Sequence, residues 1–311
     1  MLTAGVPSVR STPVAELRLP WLPAGRLLRI EGRGEMFVRE HRHADPAAPV
    51  VLLLHGWTAS SDLQFFTAYE ALAERCSFIG IDHRGHGRGL RSPDAFALED
   101  VADDAAAVVR HLGVGPVVAV GYSMGGPIAL HLARRHRDVV AGLVVQATAL
   151  EWSETRLERA LWRVLPVLGP WLRSRGYRRY LNRAVPKLIG AGHAIEDYVP
   201  WLVSEMSRND AFAMVDAGRA LSRYDARPWA STLQVPAASL ITTGDRVVRP
   251  SKQRALAAAL GASRRELAAD HLAALSHPRE FAALTVELVE LVAPRQRAST
   301  TGASSPSSDL G

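Results

Sequence analysis

A serine between two glycines, placed where a strand pattern gives way to a helix pattern, constrains the fold of this chain most. Residues 121–125 read Gly-Tyr-Ser-Met-Gly, and the mostly valine run before them, residues 117–120, is typical of a buried strand. Apolar residues at helical spacing follow from Ile128. The chain must therefore reverse within a few residues. Glycines avoid Cβ collisions in such a turn, and Ser123 is expected to adopt a strained backbone conformation at its tip.

A turn of this kind exposes the serine hydroxyl above a sheet edge and at the N-terminus of a helix. The helix N-terminus carries partial positive charge, which favours the oxyanion that forms when a serine Oγ attacks a carbonyl carbon. The motif therefore predicts that Ser123 is a nucleophile. The alternative is a Gly/Ser turn that merely joins a strand to a helix.

Apolar runs of strand length alternate with helical patterns along most of the chain. The predicted strands comprise residues 27–30, 36–38, 50–54, 78–81, 117–120, 139–145, 238–242 and 265–268. The first two are joined through Gly32 and Gly34, which indicates a hairpin. Alternation of this kind predicts the α/β class, with a doubly wound, mostly parallel sheet and right-handed crossovers.

This alternation breaks near residue 150, and until about residue 229 the chain shows helical stretches interrupted by prolines. We expect these residues to form a helical lid inserted after the sixth strand. The predicted organisation is an irregular N-terminal segment at 1–24, a core at 25–149 and 230–293, the lid at 150–229, and a disordered Ser/Thr/Gly/Pro-rich tail at 294–311.

Composition favours a globular cytoplasmic protein. Hydrophobic residues make up 48% of the 311 residues, which is ample for a large core. No apolar run reaches the roughly 18 residues of a membrane span, and no signal-peptide pattern follows the N-terminus. The single cysteine, Cys76, cannot form an internal disulfide and is predicted to be a small buried residue.

The net charge of +6 belongs to one region of the chain. Residues 151–190 contain nine basic and three acidic side chains, an excess that equals the charge of the whole chain. This local basic surface does not indicate nucleic-acid binding. Because tryptophans and leucines lie among the arginines, one hypothesis is that the lid contacts anionic lipid at a membrane surface. The alternative is a lid whose apolar face packs on the core. The arginines expected to contact lipid are Arg173, Arg175, Arg178 and Arg179.

Five motifs follow one another in a fixed order, each at the end of a predicted strand. They are His55-Gly56-Trp57, Asp82-His83-Arg84-Gly85-His86-Gly87, the serine turn, Thr243-Gly244-Asp245 and Asp270-His271. With these motifs in this order, the chain between Leu27 and Val292 resembles the α/β-hydrolase family. The family implies an α/β-hydrolase fold and serine hydrolase activity of the esterase or lipase type.

The resemblance implies a catalytic triad in the order serine, acid, histidine, which here is Ser123, Asp245 and His271. A serine hydroxyl needs a base, and a histidine needs a carboxylate to fix its tautomer. Because Asp245 and His271 follow consecutive parallel strands, they are expected at the same sheet edge as Ser123. Glu151 and Asp225 remain alternatives for the acid.

His277 is the alternative histidine, although Pro278 after it indicates that it begins a helix. Asp270 departs from the family pattern, because many relatives have glycine at that position. The two N–H donors of the oxyanion hole are expected to be the backbone groups of Trp57 and Met124. A single glycine before Trp57 implies the subgroup without the three-glycine loop of some lipases.

No cofactor or metal is predicted, because histidines at 55, 83 and 86 in glycine-rich turns, without a Cys or carboxylate cluster, are poor evidence for a metal site. The expected activity is cleavage of a small-molecule carboxylic ester, with hydrophobic or lipid-like acyl groups among the candidates, through an acyl-enzyme. The same triad would also serve a C–C bond hydrolase or an acyltransferase or perhydrolase. A protein that has this fold but only binds a ligand is a further alternative.

Overall fold

The computed structural model describes residues 18–172, 174–189 and 192–294. The predicted N-terminal segment therefore lies mostly outside the described residues, as does the predicted tail from residue 295 onward. Arg173 and the side chain of Arg178, two of the arginines expected to contact lipid, lie outside them as well.

Eight strands form one sheet in the described part of the chain, in the order β1-β2-β4-β3-β5-β6-β7-β8. β1 and β2 form the expected antiparallel hairpin, β2 pairs antiparallel with β4, and all remaining neighbours are parallel. The strands are β1 Ala24–Ile30, β2 Gly34–His41, β3 Val50–Leu54, β4 Ser77–Ile81, β5 Val117–Tyr122, β6 Val140–Gln146, β7 Ala237–Thr242 and β8 Ser263–Leu267. The predicted doubly wound α/β architecture is confirmed.

Helices cover both faces of the sheet. Those that pack on it are α1 Ser61–Ala73, α2 Leu98–His111, α3 Gly125–Arg135, α9 Pro250–Ala259 and α11 Pro278–Val292. The short helix α10 Ala273–Ser276 packs against α1 and α11. α2 and α3 contact each other on one face, and α1 and α11 do so on the other. The central strands are apolar on both faces because both are buried. Leu52 of β3 belongs to the core beneath α2 and α3, whereas its neighbour Leu53 belongs to the core beneath α1 and α11.

Further helices lie between β6 and β7, and we call residues 150–229 the helical segment. Its helices are α4 Arg156–Val164, α5 Gly169–Leu172, α6 Arg175–Ile189, α7 Val199–Met206 and α8 Ala211–Arg223. Hydrogen bonds join the second half of the helical segment to the core. Glu205 is buried and accepts from the Arg88 guanidinium at 2.5 and 2.7 Å, and the Asn209 side chain bonds the backbone of Gly87 and Thr58. α4 has no buried residue.

Candidate active site

Ser123 occupies the tip of the turn between β5 and α3, where its φ is +51°. Its backbone is held by a bond from its N–H to the Gln146 carbonyl at 2.9 Å and by a bond from the Gly126 N–H to its own carbonyl at 2.9 Å. A side chain at Gly125 would overlap the carbonyl of Leu54. The turn can therefore pass this close to β3 only with glycine at that position.

The structure brings Ser123, His271 and Asp245 together at the carboxyl edge of the sheet. His271 Nε2 lies 3.0 Å from Ser123 Oγ, and His271 Nδ1 lies 2.7 Å from Asp245 Oδ2. Both distances fall in the range in which a nucleophile, a base and its orienting carboxylate operate. The hydroxyl of Tyr122 also donates to the His271 carbonyl at 2.8 Å, which fixes the histidine backbone.

The Asp245 carboxylate is buried and accepts five hydrogen bonds. Oδ1 accepts from the backbone N–H groups of Val247 and Val248 at 2.8 and 2.9 Å. Oδ2 accepts from Thr242 Oγ1 at 2.9 Å and Gln253 Nε2 at 3.2 Å, in addition to the His271 imidazole. No sequence motif marks Thr242 or Gln253, because their contacts with Asp245 depend on how a buried strand residue and a helix residue pack together.

The alternative triad candidates have other partners. Glu151 pairs with the Lys252 ammonium at 2.8 Å, and Asp225 pairs with Arg227 at 2.6 Å on the surface. His277 bonds the Ser276 hydroxyl at 3.0 Å and precedes the first residue of α11. Asp270 is exposed, and its Oδ1 accepts from the Leu272 N–H at 2.9 Å, so it stabilises the turn after His271.

The two expected oxyanion donors are available for a ligand. Among the described residues, neither the Trp57 N–H nor the Met124 N–H has a protein acceptor. Gly56, which precedes Trp57, packs against the nucleophile, because a Cβ added to it would lie 3.3 Å from the Ser123 Cβ. Met124 follows Ser123 directly and precedes α3.

A pair of buried histidines fixes the orientation of the peptide that carries the Trp57 N–H. The His83 N–H donates to His55 Nε2 at 3.0 Å, so the proton of the neutral His55 ring resides on Nδ1. Nδ1 then donates to the Gly56 carbonyl at 2.8 Å. Because a trans peptide directs its N–H opposite to its C=O, the Trp57 N–H points away from the histidines. His83 Nε2 also donates to the His55 carbonyl at 3.2 Å.

Burial keeps these histidines neutral. Desolvation lowers the pKa of His55 well below its usual value, with nearby His83 as a further cause, and lowers the pKa of His83 to about 3 and that of His86 to about 4. Burial also raises the pKa of neighbouring Asp82 to about 6. Across the described ranges, no group of three or more His, Cys, Asp or Glu side chains is arranged to hold a metal ion.

A cavity of about 1030 Å³ opens onto Ser123 and His271 between the core loops and the helical segment. Its wall is mainly apolar and comes from both parts of the chain. The core contributes Trp57, Leu63, Val248, Leu272 and Leu275, and the helical segment contributes Trp152, Leu161, Leu165, Leu202 and Leu221, among others. Among the helices of the described residues, none combines the length and apolar composition needed to cross a bilayer.

Comparison with known proteins gives the same fold. Residues 49–166 match the family model of the alpha/beta hydrolase fold. The chain is similar to an enol-lactonase from Burkholderia xenovorans of known structure, with a TM-score of 0.72 and 22% identity over 85% of this chain and 100% of that one. It is 41% identical over 99 residues to a bifunctional esterase/perhydrolase of Acinetobacter calcoaceticus, covering 32% of this chain and 36% of the relative.

The first curated relatives are matched over only 36% to 46% of their own length. A longer match extends to a pimeloyl-[acyl-carrier protein] methyl ester esterase of Chromobacterium violaceum. The two chains are 30% identical over 251 residues, which are 78% of this chain and 94% of the relative. The order of strands, the serine turn and this match agree, and the chain belongs to the α/β-hydrolase family.

Proposed function

We propose that this hydrolase cleaves carboxylic esters through an acyl-enzyme formed on Ser123. The observation that carries the proposal is the continuous hydrogen-bonded series from Ser123 Oγ through the His271 imidazole to the Asp245 carboxylate, with separations of 3.0 and 2.7 Å. It opens onto a cavity large enough for a small-molecule ester.

In the first half of the reaction, Ser123 Oγ attacks the ester carbonyl carbon while His271 Nε2 takes the hydroxyl proton. The Asp245 carboxylate stabilises the imidazolium that forms, and the N–H groups of Trp57 and Met124 donate to the carbonyl oxygen as it becomes an oxyanion. The tetrahedral intermediate then breaks its bond to the alcohol oxygen. His271 passes the serine proton to that oxygen, and the alcohol leaves.

The second half repeats these steps with water. His271 Nε2 takes a proton from water, whose oxygen attacks the acyl carbon, and the oxyanion forms again at the same two N–H groups. The bond to Ser123 Oγ breaks, His271 returns the proton to the serine, and the carboxylic acid is released. In each half His271 takes one proton and gives it up again: the alcohol leaves with the serine proton, and Ser123 regains a proton from water, so the enzyme ends in its starting state.

The apolar wall of the cavity favours a hydrophobic acyl or alcohol group. Two relatives carry names that include esterase, which supports ester cleavage as the leading candidate. The name of one of them also includes perhydrolase, and transfer of the acyl group to peroxide would need only that peroxide replace water in the second half. C–C bond cleavage would use the same three residues, so the substrate must be identified by assay.

The experiment is a screen with p-nitrophenyl esters of two to twelve acyl carbons, with Ser123→Ala as the matched control. We expect kcat/KM to rise with acyl length until the apolar wall is filled, and we expect no turnover above background by the control. Absence of turnover by the wild-type chain with every ester would contradict ester hydrolysis. It would also favour a protein that only binds a ligand.

We further propose that the helical segment acts as a lid and that α4 contacts anionic lipid. Leu157, Leu161 and Val164 lie on one face of α4, and their side chains are 70%, 62% and 55% exposed. Exposed arginines on the same helix, Arg156 and Arg159, add positive charge. A helix with an exposed apolar face and basic flanks is suited to the surface of an anionic bilayer.

Sedimentation with vesicles tests the lipid contact. We expect the wild-type chain to bind vesicles of phosphatidylglycerol and phosphatidylcholine better than vesicles of phosphatidylcholine alone, and we expect Leu161→Gln with Val164→Gln to abolish binding. The matched control replaces two exposed leucines of the core, Leu27→Gln with Leu291→Gln. Equal binding by the α4 variant and the wild type would contradict the contact.

A further inference from the structure

The cavity wall has two sides of different chemistry. The apolar side comes from α1, α6, α7 and α10, where α7 contacts both α1 and α6 and α1 also contacts α10. Its side chains are Leu63, Val185, Leu202, Met206, Ala274 and Leu275. Apart from His271, the charged lining residues come from residues 151–158 and 246–252, two stretches that ion pairs join. Among the described residues, a molecule that fills the cavity therefore meets charged groups other than His271 only along these two stretches, which we call the polar side although Trp152 and Val248 also lie there.

Most of the charges on the polar side neutralise one another. The Lys252 ammonium lies 2.8 Å from a Glu151 oxygen and 2.9 Å from a Glu158 oxygen, with Glu154 at 3.6 Å. The Arg249 guanidinium lies 3.3 Å from Glu158. The Lys252 ammonium therefore has ionic partners on several sides, and the Arg249 guanidinium has Glu158 as a partner.

Arg246 differs from the other charged lining residues. It is exposed, it lines the cavity, and the described part of the chain supplies it with neither a carboxylate nor a hydrogen-bond partner. Its backbone is nevertheless fixed, because the N–H groups of Val247 and Val248 donate to Asp245 Oδ1 directly beside it. Arg246 is therefore a cationic side chain with free donors, on a backbone that is held in place.

We propose that Arg246 binds a carboxylate on the alcohol part of the ester, which makes anionic esters the preferred substrate class. The proposal rests on the proposed ester hydrolysis. The alcohol part is assigned because its oxygen must receive a proton from His271, and Arg246 adjoins the aspartate that holds this histidine. A planar guanidinium can donate two parallel N–H bonds to the two oxygens of a substrate carboxylate. A substrate carboxamide of the same shape has one oxygen and no charge, so it binds the guanidinium less well.

Two hexanoate esters of the same shape test the assignment. One has 4-hydroxybenzoic acid as its alcohol part and the other has 4-hydroxybenzamide, and each kcat/KM is divided by the rate of base-catalysed hydrolysis. We expect the normalised ratio to favour the acid by about fivefold in the wild-type chain at low ionic strength. We expect a ratio of about one in Arg246→Gln, and a reduced wild-type ratio in 0.5 M NaCl because salt screens exposed charges.

Arg249→Gln is the matched control, since it removes the same charge from the same loop but from a guanidinium already paired with Glu158. We expect its ratio to stay within about twofold of the wild-type ratio. An unchanged acid-to-amide ratio in Arg246→Gln, or an equal fall of this ratio in Arg249→Gln, would overturn the role of Arg246. Neither result would contradict ester hydrolysis. Turnover of neither ester, or turnover that persists in Ser123→Ala, would overturn the proposed function itself.

Discussion

Replacing Asp245 with asparagine isolates the role of the carboxylate, because the two side chains have nearly the same shape. The asparagine amide has one acceptor and one donor where aspartate has two acceptors. We expect its oxygen to face the N–H groups of Val247 and Val248, since backbone N–H groups can only donate. The Thr242 hydroxyl and the His271 imidazole at the other oxygen, by contrast, can also accept. The amide nitrogen then faces His271 Nδ1, which aspartate holds at 2.7 Å.

The consequence is the wrong histidine tautomer. Nδ1 must accept from the amide, so the ring proton moves to Nε2, the atom 3.0 Å from Ser123 Oγ. Nε2 can then no longer accept the serine proton. We expect kcat to fall by about 10⁴-fold, the typical cost when a triad histidine holds the wrong tautomer, which corresponds to about 5.4 kcal/mol in the activation barrier.

Initial rates with p-nitrophenyl esters, paired with urea unfolding, give the measurement. The free energy of unfolding should fall by only about 1–3 kcal/mol, because one set of charge-assisted hydrogen bonds is weakened. Asp225→Asn is the matched control, since Asp225 is an exposed aspartate paired with Arg227, and its kcat should stay within about twofold of wild type. A folded Asp245→Asn chain that kept more than a tenth of the wild-type kcat would refute this reasoning.

Further predictions concern the proposed oxyanion donor at Trp57, the ion pairs of Lys252 and the pH dependence of stability. His55→Phe should lower kcat by about 10-fold to 100-fold with little change in KM, because the Gly56–Trp57 peptide loses its orienting bond; steady-state kinetics check this. Lys252→Met should lower the free energy of unfolding by about 3 kcal/mol, measured in urea, because it leaves glutamates without their cation. Burial lowers the pKa of His83 to about 3 and of His86 to about 4, so the unfolded chain binds more protons below pH 6.5. The free energy of unfolding should therefore fall from pH 6.5 toward pH 4 by up to about 1.4 kcal/mol per pH unit for each histidine. Asp82 offsets part of this loss, because its raised pKa of about 6 lets the folded chain bind a proton before the unfolded chain does. Equal stability at pH 7 and pH 5 would contradict the assignment of neutral buried histidines.

The sheet and the spatial grouping of the candidate triad could be predicted from sequence for a physical reason. A strand buried on both faces must be continuously apolar, so β3 and β5 are visible as uninterrupted hydrophobic runs. Parallel strands place their carboxyl ends at one sheet edge, so Asp245 and His271 could be expected near Ser123 although 122 and 148 residues separate them from it.

Other features had no sequence signal. No amphipathic pattern marks α1 in the sequence. Its polar first residues, Ser61 and Asp62, are buried, and so are apolar residues around most of its circumference. The Gln253 bond to Asp245 depends on the packing of α9 against β7. An amphipathic pattern shows that α4 has an apolar face, but it cannot show that Leu157 and Leu161 of this face are exposed at the cavity.

Covalent labelling with a fluorophosphonate tests whether Ser123 is the nucleophile, because the reagent reacts with a serine that a neighbouring histidine activates and the adduct can be located by mass spectrometry. The wild-type chain should gain one adduct, mapped to Ser123, with loss of esterase activity in parallel. Ser123→Ala should gain none, and Asp245→Asn should react much more slowly. An adduct on a different serine, or full activity in a chain labelled at Ser123, would contradict the account.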